Sequence, residues 1–175
     1  MYFNNAMTES LTELDRQLLL YVCTILKIQI FIRSEKKKEI KGNLHHTTEC
    51  HTVSRMLCLI LKDLTLVDGY ITGFQFSDDR RTATVVHTNH SWLTTPNGAI
   101  LDPYPMGVSP QNSAMLIPTK GIYTVHGANY YFPEKKKVRK PFDVKGSWKR
   151  ARFQANLFKK YHKEFDIQKI MIDLF

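Results

Sequence analysis

Hydrophobic residues near the start of the chain recur with the spacing of an α-helix. Residues 8–32 carry leucines three or four positions apart, which places them on one helical face. The leucines that set this spacing are Leu11, Leu14, Leu18 and Leu19. Thr8 and Ser10 lie just before the first of these leucines, and hydroxyl side chains favour helix N-caps. The pattern predicts a helix over residues 8–32, followed by a charged, exposed connection over residues 33–43.

A second apolar stripe follows residue 48. Its members are Val53, Met56, Leu57, Ile60, Leu61 and Leu64. Thr48 is the predicted N-cap, and Glu49 is expected in the first turn, where the helix dipole favours an acidic side chain. Cys50 comes three residues before the first member of the stripe. We therefore expect its thiol in the first helical turn, facing the core or a cleft at the edge of the core.

Beyond Asp68 and Gly69, β-branched and aromatic residues replace the helical pattern and indicate strands. A turn is predicted at residues 77–79, and the sequence Pro96-Asn97-Gly98 is a strong signal for a second turn. The predicted strands cover residues 70–76, 82–94, 99–101, 114–117, 121–126 and 129–132. They are expected to form an antiparallel sheet of about five strands.

The last part of the chain returns to a helical pattern. Ser147 is the predicted N-cap of a C-terminal amphipathic helix with a basic outer face. Its apolar stripe contains Trp148, Ala151, Ala155, Phe158, Tyr161 and Phe165. The whole pattern predicts an α+β fold in which N-terminal helices, one of them bearing a thiol, pack on the sheet. The length fits a single domain over residues 1–175, with residues 133–175 as a basic extension packed on it.

Positive charge is concentrated in the C-terminal third. The chain has a formal net charge of +9. Residues 133–163 hold twelve Lys or Arg and two acidic residues, a balance of +10, so the remainder carries −1. The basic segment 135–163 is a candidate contact for nucleic acid or another polyanion. A solvated helix face is the common alternative.

The sequence also bears on cellular location. Residues 18–32 are the most apolar run, but Lys27 and Gln29 interrupt it, so we expect a buried helix and no membrane span. Acidic residues precede this run, which is the wrong order for a secretory signal. The three cysteines have no framework spacing and are expected to be free thiols. A cytoplasmic location is the expectation, with export by another route left open.

Three residues in chain order have the chemistry of a thiol nucleophile and its supports. Cys50 at a helix N-terminus is exposed to the positive end of the helix dipole, which favours the thiolate. His90 lies in a predicted strand, and Asp102 ends the next strand after a tight turn. Antiparallel pairing is expected to bring these two side chains together. Asp102 can then bind one imidazole nitrogen and leave the other facing Cys50.

These residues carry a resemblance to a known superfamily. A helix that opens with Cys50, followed by the sequence His-Ser-Trp-Leu-Thr-Thr-Pro-Asn-Gly-Ala-Ile-Leu-Asp-Pro over residues 90–103, resembles the core of transglutaminase-like and papain-like proteins. The resemblance covers about residues 48–104. It implies a papain-like core and a cysteine-dependent hydrolase or transferase with the triad Cys50, His90 and Asp102. It also implies a peptide, protein or glutamine-type amide as substrate.

Other residues near the triad have weaker assignments. Trp92 is expected on the same strand face as His90, where it can wall the site or simply pack. Asn43 is a candidate side-chain donor to an oxyanion, and the backbone N–H of Cys50 is another. His51 is expected about 100° around the helix from Cys50 and is therefore a poor candidate for the base, although it remains a weak candidate for binding substrate or lining the site.

A metal site and two other functions are alternatives to the cysteine-dependent hydrolase or transferase. The histidines and Cys50 show no recognised zinc spacing, so we expect neither a metal nor a cofactor. The first rival function is a non-catalytic basic protein that binds nucleic acid or another polyanion. The second is an amine acyl-transferase that uses a thioester donor. In each of the three residues of the triad, the ordinary alternative is a structural role: a buried thiol, a surface histidine or a turn aspartate.

Overall fold

The fold is that of a computed structural model, which describes residues 11–36, 49–76, 81–104, 115–117, 131–133 and 143–172. In these residues the chain forms helices and an antiparallel sheet, which confirms the α+β class. The helices are α1 (Glu13–Glu35), α2 (Cys50–Ile60), α3 (Val144–Tyr161) and α4 (Ile167–Ile172), with a 3₁₀ turn at His162–Glu164. The strands are β1 (Thr65–Phe76), β2 (Ala83–Thr94), β3 (Ile100–Asp102), β4 (Met115–Ile117) and β5 (Tyr131–Pro133).

Helix α1 begins later than the sequence pattern predicted. Its N-cap is Thr12, not Thr8 or Ser10, because Thr12 and Asp15 form a reciprocal capping box. The Asp15 backbone N–H donates to Thr12 Oγ1 at 3.2 Å, and the Thr12 backbone N–H donates to Asp15 Oδ2 at 2.9 Å. Leu14, which the pattern placed on the apolar face, is 44% exposed, whereas its neighbours Leu11, Asp15 and Leu18 are buried.

Helices α2 and α3 also differ from the prediction at their starts. The N-cap of α2 is Glu49 and not Thr48, and the helix ends at Ile60, before Leu64. The N-cap of helix α3 is Asp143 and not the predicted Ser147. The Asp143 side chain accepts a hydrogen bond from the Gly146 backbone N–H at 2.8 Å, so the helix begins at Val144. Ser147 therefore lies inside the helix.

The sheet is antiparallel throughout, with the strand order β4-β3-β2-β1-β5. Strands β1 and β2 form a long hairpin in which Asp68 pairs with Ser91 and Gly69 with His90. Strand β1 begins earlier than the predicted residue 70, because Thr65, Leu66 and Val67 already have strand character and the whole segment pairs with β2. Strands β4 and β5 overlap the predicted strands 114–117 and 129–132, whereas the predicted strand 121–126 lies outside the described residues.

A tight turn connects β2 to β3, as the sequence predicted. The Gly98 backbone N–H donates to the Thr95 carbonyl, and Gly98 has a φ of 82°, a conformation that glycine adopts at little cost. The Asn97 side chain reaches across to the cap of α1, where its Nδ2 donates to Thr12 Oγ1 at 2.8 Å. This turn sets the register in which Leu93 faces Leu101.

The two faces of the sheet contribute to separate clusters. Leu93 and Leu101 belong to the main core with α1, α2 and α3, whereas Trp92 and Ile100 form a smaller cluster. Since side chains alternate along a strand, Ser91 shares the face of Leu93, and His90 shares the face of Trp92. Helix α2 packs on α3 and on β2, and its N-terminus lies near both sets of side chains.

Helix α1 is long and apolar enough to cross a membrane by length and composition, with a mean hydropathy of 1.4 in its best window. Lys27 and Gln29 therefore interrupt the apolar run less than the sequence pattern indicated, because the helix still meets the length and hydropathy of a possible membrane span. In that window 56% of the residues are buried against the rest of the described structure. Core helices and N-terminal signal sequences both have these properties, so one such helix is weak support for a membrane span, and the cytoplasmic location stays a prediction.

Candidate active site

Cys50 is the first residue of α2, so its thiol lies at the positive end of the helix dipole. The N-cap residue Glu49 makes no side-chain capping hydrogen bond. Its carboxylate instead accepts from Arg150 Nη2 of α3 at 2.9 Å. Arg150 also donates from Nε to Thr52 Oγ1 at 3.4 Å, which ties the start of α3 to the first turn of α2. The thiol-bearing turn is thus held from outside by the basic helix.

His90 and Asp102 form a buried pair next to this turn. His90 Nε2 lies 2.7 Å from Asp102 Oδ2, and the two residues are 2% and 0% exposed. The second carboxylate oxygen of Asp102 accepts from the Tyr104 backbone N–H at 2.8 Å. A carboxylate only accepts hydrogen bonds, so His90 Nε2 carries a proton and donates it to Asp102. The predicted proximity of these two residues is present in the structure, with Nδ1 left to face Cys50.

The thiol and the imidazole perturb each other. Burial on its own raises the pKa of Cys50, but hydrogen bonds and charge interactions with His51 and His90 outweigh it and lower this pKa from 9.0 to about 6. Burial likewise tends to lower the pKa of His90, but hydrogen bonds to Asp102 and Cys50, and the charges of both, raise it from 6.5 to about 9. Near neutral pH the favoured state is a Cys50 thiolate beside a His90 imidazolium.

Trp92 lies on the same side of the sheet as the imidazole of His90. The two ring centroids are 6.2 Å apart and the planes are inclined by 21°, and Trp92 is 1% exposed. The indole therefore packs beside the imidazole in the interior. Asn43, the candidate oxyanion donor, lies outside the described residues.

His51 lies at the site, contrary to the expectation that it points away from Cys50. Its side chain is hydrogen-bonded to the Cys50 thiol. Its Nδ1 lies 2.6 Å from Ser91 Oγ, and His51 is 8% exposed. The 100° angle between successive helical residues separates their Cα–Cβ directions, but a long imidazole at the first turn can still swing back toward its neighbour.

Behind His51 lies a buried polar network that the sequence analysis did not identify. Arg55 donates two hydrogen bonds to the carboxylate of Asp68, at 2.9 and 2.8 Å, and is 0% exposed. Ser91 Oγ lies 2.6 Å from Asp68 Oδ1 and 3.1 Å from Arg55 Nη1. Ser54 Oγ donates to the Ser91 carbonyl at 2.8 Å. One signal was available: Arg55 follows His51 by four residues, one helical turn, on a face otherwise filled by apolar residues.

Comparison with protein-family models, with curated proteins and with solved structures found no match. The function is therefore inferred from the residues of the site alone.

Two further features of the described residues bear on ligands. No group of three or more His, Cys, Asp or Glu side chains in this part of the chain is arranged to hold a metal ion. A cavity of about 300 Å³ lies beside the first turns of α3, lined by Val144, Lys145, Trp148 and Arg152. The Arg55 guanidinium lies 5.4 Å from the centroid of the Trp148 ring, so this cavity adjoins the polar network behind His51.

Proposed function

We propose that the protein is a cysteine-dependent hydrolase or transferase that acts on an amide through a covalent acyl-enzyme on Cys50. The observation that carries the proposal is the meeting of the Cys50 thiol, with its lowered pKa, and the His90 imidazole, which donates to a buried Asp102. A lowered thiol pKa, a base in contact and a residue that orients the base are the requirements for nucleophilic catalysis by cysteine.

In the first half of the reaction the Cys50 thiolate attacks the carbonyl carbon and forms a C–S bond. The carbonyl oxygen becomes an oxyanion, for which the backbone N–H of Cys50 is the donor we assign. His90 then gives its Nδ1 proton to the leaving amine as the C–N bond breaks. Asp102 keeps Nε2 protonated throughout, so Nδ1 is the nitrogen that exchanges protons.

In the second half neutral His90 accepts a proton at Nδ1 from water or from an acceptor amine. The activated oxygen or nitrogen attacks the thioester carbonyl, the C–S bond breaks, and Cys50 leaves as thiolate. His90 is again an imidazolium, and the starting proton distribution is restored. Water gives hydrolysis, whereas an amine gives transfer.

The arrangement of elements supports a transglutaminase-like or papain-like assignment for the core. A thiol begins a helix, this helix packs on an antiparallel sheet, and the sheet carries histidine and aspartate on neighbouring strands. The chain order Cys50, His90, Asp102 is the order in that superfamily. A peptide, protein or glutamine-type amide substrate follows from the same resemblance.

The test uses two probes on the intact protein near neutral pH. Iodoacetamide labelling is followed residue by residue by mass spectrometry, with Cys58 and Cys23 as internal comparisons. Incubation with p-nitrophenyl acetate is expected to release nitrophenol in a burst and leave one acetyl group on Cys50. Cys50→Ala should abolish the burst, and the matched variant Cys58→Ala should retain it. Equal, slow labelling of Cys50 and Cys58 would overturn the proposal.

Addition of a primary amine to the acylated protein distinguishes hydrolysis from transfer. Faster turnover with an amide product indicates an amine acyl-transferase, the case in which a thioester is a natural donor. Turnover that is unchanged by the amine indicates a hydrolase. Both outcomes retain the acyl-enzyme on Cys50.

A second candidate function is supported by the surface of α3. Its exposed cationic residues include four that share one face, since they are separated by four, three and seven positions; they are Lys145, Lys149, Arg152 and Lys159. A cationic helical face is suited to contact with nucleic acid or another polyanion. The test is the salt dependence of binding to a DNA or RNA duplex, with Lys149→Glu and Arg152→Glu expected to weaken it. A polyanion-binding protein should be unaffected by Cys50→Ala.

A further inference from the structure

His51 contacts the Cys50 sulfur from α2 itself, while His90 contacts it from β2. The chain thus brings two imidazoles to one thiol, and the mechanism above uses only one of them. His51 is buried, and a polar network holds its Nδ1. The role of this second imidazole follows from the protons in that network.

The hydrogen bonds fix which nitrogen of His51 faces Ser91 and which faces Cys50. Both carboxyl oxygens of Asp68 accept from Arg55 Nη2, so Asp68 is a carboxylate and can only accept. Ser91 has one hydroxyl proton and gives it to Asp68 Oδ1, at 2.6 Å. The Ser91 oxygen must then accept from its other neighbours. His51 Nδ1, at 2.6 Å, is therefore a donor, and Nε2 is the nitrogen left for Cys50. A thiolate only accepts hydrogen bonds, so Nε2 also carries a proton when it binds the Cys50 thiolate.

We propose that His51 is a positioning residue for the nucleophile, whose Nε2–H holds the Cys50 thiolate in place while Ser91, Asp68 and Arg55 hold the ring. The proposal rests on the cysteine-dependent mechanism and deepens it. A side chain in the first turn of a helix has several rotamers to choose from. With His90 on one side and His51 on the other, the sulfur stays at the position from which it attacks.

The two contacts of His51 can be removed separately. In His51→Asn the amide lies where Nδ1 lies, so the contact with Ser91 is kept and the contact with Cys50 is lost. In His51→Gln the longer amide reaches the position of Nε2, so the contact with Cys50 is kept and the contact with Ser91 is lost. The two variants are matched, since each replaces the imidazole by a neutral amide.

The measurement is the pH profile of iodoacetamide labelling at Cys50, together with acylation by p-nitrophenyl acetate. The titratable and charged groups around His51 are Cys50 and Arg55 on α2, Asp68 on β1, and the His90–Asp102 pair beyond the sulfur. We expect His51→Asn to move the labelling midpoint to higher pH and to slow acylation by roughly ten- to a hundredfold, the effect of one lost hydrogen bond to a charged group. His51→Gln should lose less.

A purely structural role for His51 predicts the opposite order. His51→Asn would then match the wild-type profile, and this result, or equal losses in both variants, would overturn the proposal. Ser91→Ala gives a second approach, since it frees the His51 ring and should also slow acylation. Failure of the proposed function gives a different result: wild-type Cys50 would then label no faster than Cys58, whatever occupies position 51.

Discussion

The two imidazoles that contact Cys50 are supported by carboxylates in different ways. His90 donates directly to Asp102, whose other oxygen accepts a backbone N–H. His51 is linked to Asp68 only through the Ser91 hydroxyl, and Asp68 is bound by the Arg55 guanidinium. We call these the direct arm, His90 with Asp102, and the relayed arm, His51 with Ser91, Asp68 and Arg55.

The comparison teaches that the two carboxylates near the thiol differ in how far a neighbouring cation already compensates their charge. In the direct arm the charge of Asp102 acts on His90, whose pKa rises to about 9. In the relayed arm the cation of Arg55 lies 2.8 Å from Asp68 and cancels most of its field. The direct arm is therefore suited to proton transfer, and the relayed arm to holding a fixed geometry.

The largest expected effect comes from Asp102→Asn. The Tyr104 N–H keeps the amide oxygen on its side, so the amide NH₂ faces His90 Nε2 and forces the proton onto Nδ1. The imidazole can then no longer accept a proton at the nitrogen that faces Cys50. We expect acylation by p-nitrophenyl acetate to fall about 10³- to 10⁴-fold, and the pKa of His90, measured by NMR titration, to return toward 6.5.

The exposed carboxylate of Asp63 provides the control for that variant. Asp63→Asn removes the same charge from a surface turn after α2 and should leave acylation unchanged. A loss under about tenfold in Asp102→Asn would show that the direct arm is not the proton-transferring one.

The next effect concerns stability and the relayed arm. Arg55→Met leaves Asp68 without its cation and should lower the free energy of unfolding by about 3–5 kcal/mol, measured by chemical denaturation. Adding Asp68→Asn to Arg55→Met removes the uncompensated charge and should recover part of the loss. If Arg55→Met alone costs under about 1 kcal/mol, the carboxylate is solvated and the arm is not held as described.

The pH dependence separates the thiol from the imidazole. Labelling by iodoacetamide needs only the thiolate, so its rate should rise through about pH 6 and then level off, and it should be about a hundredfold lower at pH 4. Acylation that uses the imidazolium should in addition fall as pH rises through about 9. A labelling midpoint for Cys50 near the ordinary value of 9.0 would contradict the assignment.

The same shifts fix the sign of the stability changes. The lowered pKa of Cys50 contributes stability that is fully present above pH 9.0 and is lost as pH falls through about 6. The raised pKa of His90 contributes stability that is fully present below pH 6.5 and is lost as pH rises through about 9. Thermal unfolding between these limits, compared with His90→Gln, measures the imidazole contribution.

The smallest effect is expected for Ser54→Ala. Ser54 Oγ donates to the backbone carbonyl of Ser91 and not to its side chain, so it supports β2 without entering either arm. We expect a loss of about 1 kcal/mol in unfolding free energy and an unchanged pH profile of Cys50 labelling. A shifted profile would mean that the two arms communicate through the β2 backbone.

Much of the direct arm was predictable from sequence because it depends on local rules. A helix N-terminus at Cys50 follows from the apolar stripe, and the Pro96-Asn97-Gly98 turn fixes how β2 folds back on β3. With that turn in place, strand pairing brings Asp102 beside His90. The periodicity of side chains then puts Trp92 on the same face.

The relayed arm was not predictable because it depends on pairings between distant segments. Asp68 lies before the predicted start of the strand at residue 70, and the longer strand that contains it could not be recognised without its partner β2. Ser91 carries no sequence signal of its own. The caps were also misplaced: Thr12, Glu49 and Asp143 take the positions predicted for Thr8 or Ser10, Thr48 and Ser147, because several capping residues lie near each helix start.

The hydrogen bond between Arg150 and Glu49 joins residues that are 101 positions apart in the chain. During synthesis Glu49 and Cys50 leave the ribosome long before Arg150 does. The first turn of α2 therefore acquires its final charge arrangement only after α3 has docked. A nascent chain carries its nucleophile in an unfinished setting, and the setting is completed by a segment that is made about a hundred residues later.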